Sequence, residues 1–432
     1  MNKRIIPENP NFWQRIISLI IFFSLSSLPL YSQTTHKLIN ITNNPDKFAF
    51  RPAIAIDSKN NVHIAWYAFY EYPGAPDGVA SNIFYSNNVK GKFCRSVEIK
   101  VPEGEDTGWY SKNPSISVDS QGNAYIIFVR WKHQVSLSSE DDIYYVTNAP
   151  IKNSNGIVIN PGNRFKKPIR LVAGVGLRKK PEDVSGPNQP FIHCDSKDHV
   201  HITFQAWGFG DIWECILYMN NSKGKWSKPS LAVSKFNIFL YKSCIDDKDK
   251  VHIVFEGYKS GYSNLIYYTK KRKKKFKKPT RVSSPLHEQC GDADLAVDSR
   301  GKVHVVYRAL FPFEYDGIYY ANNVKKKFKP WNKITESWSY NTSIKVDDTD
   351  TVHVAYEKSD TLYFGDNSSG KFKFIFYDKM PPNFTLADSY FALGDLTTYN
   401  FTFHAWLGKK SNYTGAEIYY LRSICYLSKR KY

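Results

Sequence analysis

Polar side chains suited to gripping a hydroxyl-rich ligand recur at two equivalent places along this sequence. Arg51, Asn113, Gln189, Asp292 and Asn341 each stand at the start of an apolar stretch, whereas Tyr67, Arg130, Gln205, Glu256, Arg308 and Glu357 each follow the next one. The set mixes both charges with amides, and Trp66, Trp131, Trp207 and Trp406 lie close enough in sequence to offer stacking faces. Polar groups converging in a concavity mark a ligand site, although the same ring would also suit a plain water-filled channel. Five histidines, His63, His201, His252, His304 and His353, hold a single equivalent position in successive repeats. Spread around a ring they could not converge on one ion, so each is expected to hydrogen-bond near an aspartate turn. The six cysteines form no CxxC pair, and their wide spacing suits no zinc site, so buried structural thiols are expected and neither metal nor cofactor is called for.

The elements that must position these groups are read from a repeat. Six segments share a template of apolar strand, Asp turn and second apolar strand: Pro52 to Trp66, Pro114 to Phe128, Pro190 to Phe204, Tyr241 to Phe255, Ala293 to Tyr307 and Thr342 to Tyr356. Their turn residues, Asp57, Asp119, Asp195, Asp246, Asp298 and Asp347, fit hairpins through local backbone hydrogen bonds. A seventh, degenerate copy runs from Phe391 to Trp406. Each copy is followed by a third strand with paired aromatics, such as Ile143-Tyr144-Tyr145 and Ile266-Tyr267-Tyr268, and then by a fourth expected to open on an aromatic such as Phe93, Trp226 or Phe372. Recurrence at this period with four strands per copy predicts an all-β, seven-bladed β-propeller of four-stranded antiparallel blades. The last copy lacks room for a full fourth strand, so residues from about Lys37 to Thr42 are expected to complete it and close the ring.

Lys3, Arg4 and Arg15 precede an uncharged apolar run from Ile16 to Leu30, which reads as a signal peptide over residues 1–32. The run is short for a membrane span and no second one follows, so residues 33–432 are expected to form one extracytoplasmic, monomeric domain without a transmembrane segment. The net charge of +19 gathers in runs such as Lys270 to Lys278 and Lys325 to Lys329, placed on the turn between third and fourth strands. Such runs solvate an outer rim, or they draw in an anionic envelope surface or acidic polysaccharide. Nucleic acid is not expected as the partner of an exported protein.

The repeat, seen in Asn113-Pro114-Ser115-Ile116-Ser117-Val118-Asp119 and in Asp298-Ser299-Arg300-Gly301-Lys302-Val303-His304-Val305, resembles exported bacterial propellers of the sialidase-like, BNR-repeat type. Sialidases carry Asp-box turns, and the counterparts here, Ser86 to Phe93 and Asn220 to Trp226, are degenerate. Phe50-Arg51-Pro52 stands where that family has Phe-Arg-Ile-Pro, one residue short. The resemblance implies that a sialidase would use Arg51, Arg130 and Arg308 on a carboxylate, Tyr340 with Glu256 as nucleophilic pair, and Asp292 as acid and base. Polysaccharide lyases on related propellers abstract a proton with His and Tyr, and no local signature for them is present. The degenerate motifs lead to the expectation of a non-catalytic binding module for a glycan or envelope component, whose ligand contacts are Arg51, Asn113, Arg130, Gln189, Gln205, Trp207, Glu256, Asp292, Arg308, Asn341 and Glu357. A sialidase-like glycoside hydrolase and a protein-protein interaction scaffold are the alternatives.

Overall fold

A computed structural model describes residues 35–42, 48–71, 78–101, 110–131, 141–152, 158–160, 164–174, 183–209, 212–258, 263–325, 327–336, 339–358, 361–377, 384–393, 398–407 and 415–424. The predicted signal segment lies outside them. These residues are all-β, the one helical element among them being the three-residue 3-10 turn Phe313–Tyr315. No helix among them is long and apolar enough to cross a membrane.

The strands form antiparallel units in sequence order. In the first, Val62–Glu71 lies between Phe48–Ile56 and Val79–Asn87, with Val97–Ile99 outermost. The next unit runs Tyr110–Val118, Ala124–Trp131, Asp142–Thr147, Ile169–Val172. Asn188–Cys194, Val200–Phe209, Ile212–Asn220 and Ser230–Val233 make another. Asn237–Ile245, Val251–Tyr258, Leu265–Arg272 and Thr280–Arg281 repeat the order, as do Gln289–Val297, Val303–Phe311, Gly317–Asn322 and Asn332–Lys333. Ser339–Val346, Val352–Lys358, Thr361–Asp366 and Lys373–Tyr377 follow. At the end, Phe384–Leu393, Thr398–Leu407 and Gly415–Ile424 are joined by Thr35–Asn40, antiparallel to Gly415–Ile424 with Leu38 opposite Leu421. The N-terminal strand thus spans 35–40, slightly earlier than the expected 37–42.

In the second to fifth units the second strand is apolar on both faces because a neighbouring unit covers each side. Ile64, Ile126, Ile202, Ile253, Val305 and Val354 are all buried. One cluster joins Ile216 and Tyr218 to Val251, Ile253 and Phe255 of the next unit, and another joins Val254, Ile266 and Tyr268 to Leu295, Val303 and Val305. A strand with both faces in protein carries continuous apolar sequence rather than alternation, as Val251-His252-Ile253-Val254-Phe255 does.

The polar residue that recurs in those runs is the histidine, and its bonds explain it. His252 Nε2 lies 3.0 Å from Asp246 Oδ2 and Nδ1 lies 2.8 Å from the Tyr268 hydroxyl. Since the carboxylate only accepts, Nε2 carries the proton and Nδ1 receives the tyrosine O–H. His201 bonds Asp195 and Tyr218 in the same way, and His304 bonds Asp298 and Tyr320. His63 has Tyr85 at 2.7 Å and Asp57 at 3.5 Å, and His353 reaches Asp347 at 2.7 Å. In the second unit Tyr125 replaces histidine and donates directly to Asp119 at 2.9 Å. The aspartate's other oxygen holds the turn, as where Asp246 Oδ1 accepts the N–H groups of Lys248 and Lys250.

The same tyrosines join neighbouring units. Phe165 meets Tyr85, Trp226 meets Tyr145, Phe276 meets Tyr218, Phe328 meets Tyr268 and Phe372 meets Tyr320, all edge-on with centroids 4.8 to 5.6 Å apart. Edge-to-face pairs contribute about 0.5–1.5 kcal/mol each beyond the area they bury. This corrects the expectation that Phe93, Trp226 and Phe372 open the fourth strands. Those strands begin at Val97, Ser230 and Lys373; Trp226 and Phe372 are spent as wedges before the strand starts, and Phe93 packs against the cluster of Ile41, Val62 and Ile64. At the turns, Ser120, Ser196 and Ser299 each donate through N–H and Oγ to an aspartate of the following unit, Asp198, Asp249 and Asp350. Cys94, Cys194, Cys215, Cys244 and Cys290 are free thiols, and of these Cys94 is exposed rather than buried; Cys425 lies outside the described residues.

Deleting residues 35–42 removes the partner of Gly415–Ile424 and the buried Ile41, and is expected to lower the melting temperature by roughly 5 °C or more; an unchanged melting curve would show the strand to be dispensable. Burial pushes the Asp246 carboxyl up, but the hydrogen bonds from His252 and the N–H groups of Lys250 and Lys248 outweigh it and set it at about 2. Asp246 therefore stabilises the fold above the ordinary carboxylate range, and that contribution is lost as pH falls through about 2. Asp246→Ala should cost about 3 kcal/mol in urea unfolding at neutral pH and flatten the acid limb.

Candidate functional site

Every first strand from the first unit to the sixth breaks register at the same place. In the first, Phe50 faces Tyr67 while Ala53 faces Ala65, so three steps on one strand meet two on the other. The breaks recur between Lys112 and Ser115, Asn188 and Phe191, Ile238 and Tyr241, Gly291 and Asp294, and Tyr340 and Ser343. A bulge of this kind re-aims a side chain. Within five of them a non-glycine residue takes a left-handed backbone: Arg51 at φ 44°, Asn113 at 52°, Gln189 at 44°, Asp292 at 50° and Asn341 at 51°. Asparagine and aspartate tolerate this region, but for Arg51 and Gln189 it costs about 1–3 kcal/mol, a strain retained where surrounding structure fixes it. Pro52, Pro114 and Pro190 follow three of these residues, and proline suits a bulge because no ladder N–H is needed there.

Those five side chains, with Leu240 of the remaining bulge, line one cavity of about 280 Å³. Tyr241, Lys242, Glu256 and Thr342 complete its polar wall. Hydrogen bonds run from unit to unit around it. Arg51 Nη1 donates to Asn113 Oδ1 at 3.2 Å, and Asn113 Nδ2 donates to Asn188 Oδ1 at 3.0 Å. The Tyr241 hydroxyl donates to the Gln189 carbonyl at 2.7 Å, and the Thr342 hydroxyl to the Asp292 carbonyl. Asn341 Nδ2 donates to Glu357 at 2.9 Å.

The cavity carries both charges: Arg51 and Lys242 are its cations, and Glu256 and Asp292 its acids. Glu256 is only 5% exposed. Burial pushes its carboxyl up, the Asp292 charge adds to the rise, and the N–H groups of Ala293 and Asp292 and the Asn264 amide offset part of it, leaving it at about 7. Glu256 is thus half protonated near neutrality, when an ordinary carboxyl has long lost its proton. Burial also raises the Tyr241 hydroxyl well above its usual range, so it remains a donor.

Of the residues named from sequence, the structure brings Arg51, Asn113, Gln189, Glu256, Asp292 and Asn341 together. Glu357 stands one hydrogen bond behind, through Asn341. Arg130 and Arg308 do not line the cavity: Arg130 donates to Ser111 at 3.0 Å, and Arg308 pairs with Asp316 at 3.4 Å. Gln205 is buried and donates to the Ile238 carbonyl at 2.8 Å. Trp207 is an exposed ring on the same end of the sheet, Trp66 is core, and Trp131 is half-buried with Lys112 Nζ 4.8 Å from its centroid. Tyr340 falls in Ser339–Val346, but its side chain, like that of Trp406, lies outside what is described. Sequence reasoning missed Leu240, Tyr241 and Lys242, because the fourth bulge carries no polar residue at the telltale position. By register Phe239 is the counterpart of Arg51 and Leu240 that of Pro52, and aligning the fourth copy on the repeat would have found the pair. The long lysine runs sit between third and fourth strands, with Lys273 in the hairpin that links Leu265–Arg272 to Lys275–Phe276.

The folded state keeps the Glu256 proton up to about pH 7, whereas the unfolded chain releases it near the ordinary 4.5. Stability should therefore fall as pH rises from 4.5 to 7 through this residue, and Glu256→Gln should remove that slope in urea titrations at stepped pH. An unaltered slope in the variant would show that Glu256 titrates normally.

No protein family and no curated protein matches the sequence. Solved structures match in fold. A polysaccharide lyase of the PL25 ulvan lyase type superposes with a TM-score of 0.55 at 9% identity, covering 88% of this chain and 95% of that one, and a second structure of such a lyase holds -[GlcA(1-4)Rha3S]-. The polysaccharide lyase Uly1 gives 0.54 at 12% identity over 89% of this chain and 90% of its own. The NanB sialidase from Streptococcus pneumoniae gives 0.45 at 13% identity over 93% and 72%. At such identities the likeness is one of architecture: this chain shares the all-β fold of the two polysaccharide lyases.

Proposed function

We propose that the chain is an exported, ring-closed propeller of seven blades whose central cavity binds an acidic glycan without turning it over. The observation that carries this reading is the set of five left-handed bulge residues whose polar side chains meet at one cavity. Closure by the N-terminal strand is supported by the register of Thr35–Asn40 on Gly415–Ile424, and export by the basic and apolar segment ahead of Ser32. Arg51 and Lys242 suit a uronate or sulfate group, and the amides of Asn113, Gln189 and Asn341 suit ring hydroxyls. The net charge of +19 draws a polyanion toward the molecule before any specific contact forms. The architecture shared with lyases that act on polysaccharides points the same way.

A second reading, a glycoside hydrolase, is favoured by one observation: Glu256 carries a raised pKa beside Asp292. Two acids whose environments push them apart divide proton donation from attack. Against the sialidase version stands the placement of Arg130 and Arg308, each bonded outside the cavity.

Native electrophoresis through gels containing polygalacturonate, alginate, hyaluronan or chondroitin sulfate tests both readings, with neutral dextran as control. At least one acidic polymer should retard the protein, Arg51→Ala should weaken that retardation about tenfold with an unchanged circular dichroism spectrum, and prolonged incubation should release no new reducing ends. Migration equal to the dextran control in every gel would refute glycan binding. Reducing ends that appear with the wild type without the ultraviolet absorbance of an unsaturated uronate, and vanish in Glu256→Gln, would establish the hydrolase instead.

A further inference from the structure

We infer that the rim beside the cavity, over the third to fifth units, is a stacking platform for the neighbouring sugars of a long chain, so that the ligand is an internal stretch of an acidic polysaccharide. This rests on the reading of the cavity as a glycan site and adds to it the length of the ligand. In the fourth unit the bulge that elsewhere presents a polar residue presents Phe239 and Leu240, 54% and 44% exposed. Leu240 lines the cavity itself, and the Phe239 ring leans on Tyr258 with centroids 5.9 Å apart. Trp207, 54% exposed, stands at the same end of the second strand in the preceding unit. Phe311 and Phe313, 39% and 82% exposed, stand at the corresponding end in the following unit, with rings 5.5 Å apart.

These rings do not contribute to the core, and each leaves apolar surface in water. Exposed apolar surface gathered in one place marks an interaction site. A polysaccharide fits it better than a second protein for two reasons on the molecule. The platform runs directly into a cavity walled by amides and charges, and a sugar ring has both an apolar C–H face for an aromatic and a polar rim for such donors. The cation beside it, Lys242, lines the cavity together with Leu240 and matches the charge of an acidic polymer, while the large positive net charge opposes association between copies of the chain. Tyrosine, tryptophan and phenylalanine also supply contact area with little loss of side-chain freedom.

The test uses the full protein, the same four acidic polymers, and the disaccharide of each bound polymer as competitor. A Trp207→Ala/Phe239→Ala variant should bind the polymer at least tenfold more weakly than wild type while the disaccharide competes equally well against both. Arg51→Ala should weaken polymer and disaccharide together. Unchanged polymer affinity in the double variant overturns the platform while leaving the cavity reading intact. So does an equal loss of both affinities, which would mean that the rings only shape the cavity. A wild type retarded by none of the four polymers refutes glycan binding and the platform with it. Sedimentation of the wild type as a dimer that the double variant dissolves would likewise overturn the platform, reassigning these rings to a contact between copies.

Discussion

The third-strand tyrosine hydroxyl, buried and bonded to a histidine, is the interaction on which the remaining architecture hangs. Through Nδ1 and Nε2 the histidine couples that tyrosine to the aspartate of the hairpin turn, and the aspartate closes the turn through backbone N–H groups. The tyrosine's ring meanwhile takes the edge of an aromatic from the following unit. One side chain therefore fixes the hairpin of its own sheet and the docking of the next. Burial lowers the affinity of His63, His201, His252 and His304 for a second proton, which keeps Nδ1 free to accept from the tyrosine. A chain of polar groups passing through an apolar interior is tolerable only when its members are paired, and around His201, His252 and His304 three residue types meet that demand.

Much of this was written in the order of residues. The Asp turn, the histidine two strides into the second strand and the Ile-Tyr-Tyr of the third recur at steady offsets, so strand identity and a histidine bond near an aspartate turn could be read before any coordinates, whereas the tyrosine on the other ring nitrogen could not. The aromatic after the third strand was legible as a landmark but not as a wedge, because its contact lies on another unit and spacing within one copy carries no record of it. The serine and aspartate that latch adjacent turns were invisible for the same reason. Ser120 and Asp198 are 78 residues apart, and nothing local distinguishes them from ordinary turn residues.

The site was legible in its first-strand half and obscure in its second. Arg51, Asn113, Gln189, Asp292 and Asn341 share a bulge, and a bulge sends equivalent positions to equivalent places. The residues expected to follow the second strands lie within them, as Gln205 does opposite Asn188 and Arg308 opposite Gly291, and no bulge aims them at the cavity. Their side chains go wherever the local loop provides a partner, which for Arg308 is Asp316 and for Gln205 the carbonyl of Ile238. Glu256 is the exception because the N–H groups of Asp292 and Ala293 draw it toward the centre. Its proton affinity could not have been foreseen, since that depends on depth and on a carboxylate in the neighbouring unit.

The left-handed residues around the cavity carry one more implication. Their backbone is held by the ladders on either side and not by the identity of the side chain, as the presence of arginine, asparagine, glutamine and aspartate in equivalent geometry demonstrates. The bulges work like a set of sockets: exchanging one plug alters the chemistry of the cavity while the frame stays put. Related molecules could then vary the chemistry of this cavity through single replacements, each costing about 1–3 kcal/mol where the newcomer is neither glycine, asparagine nor aspartate.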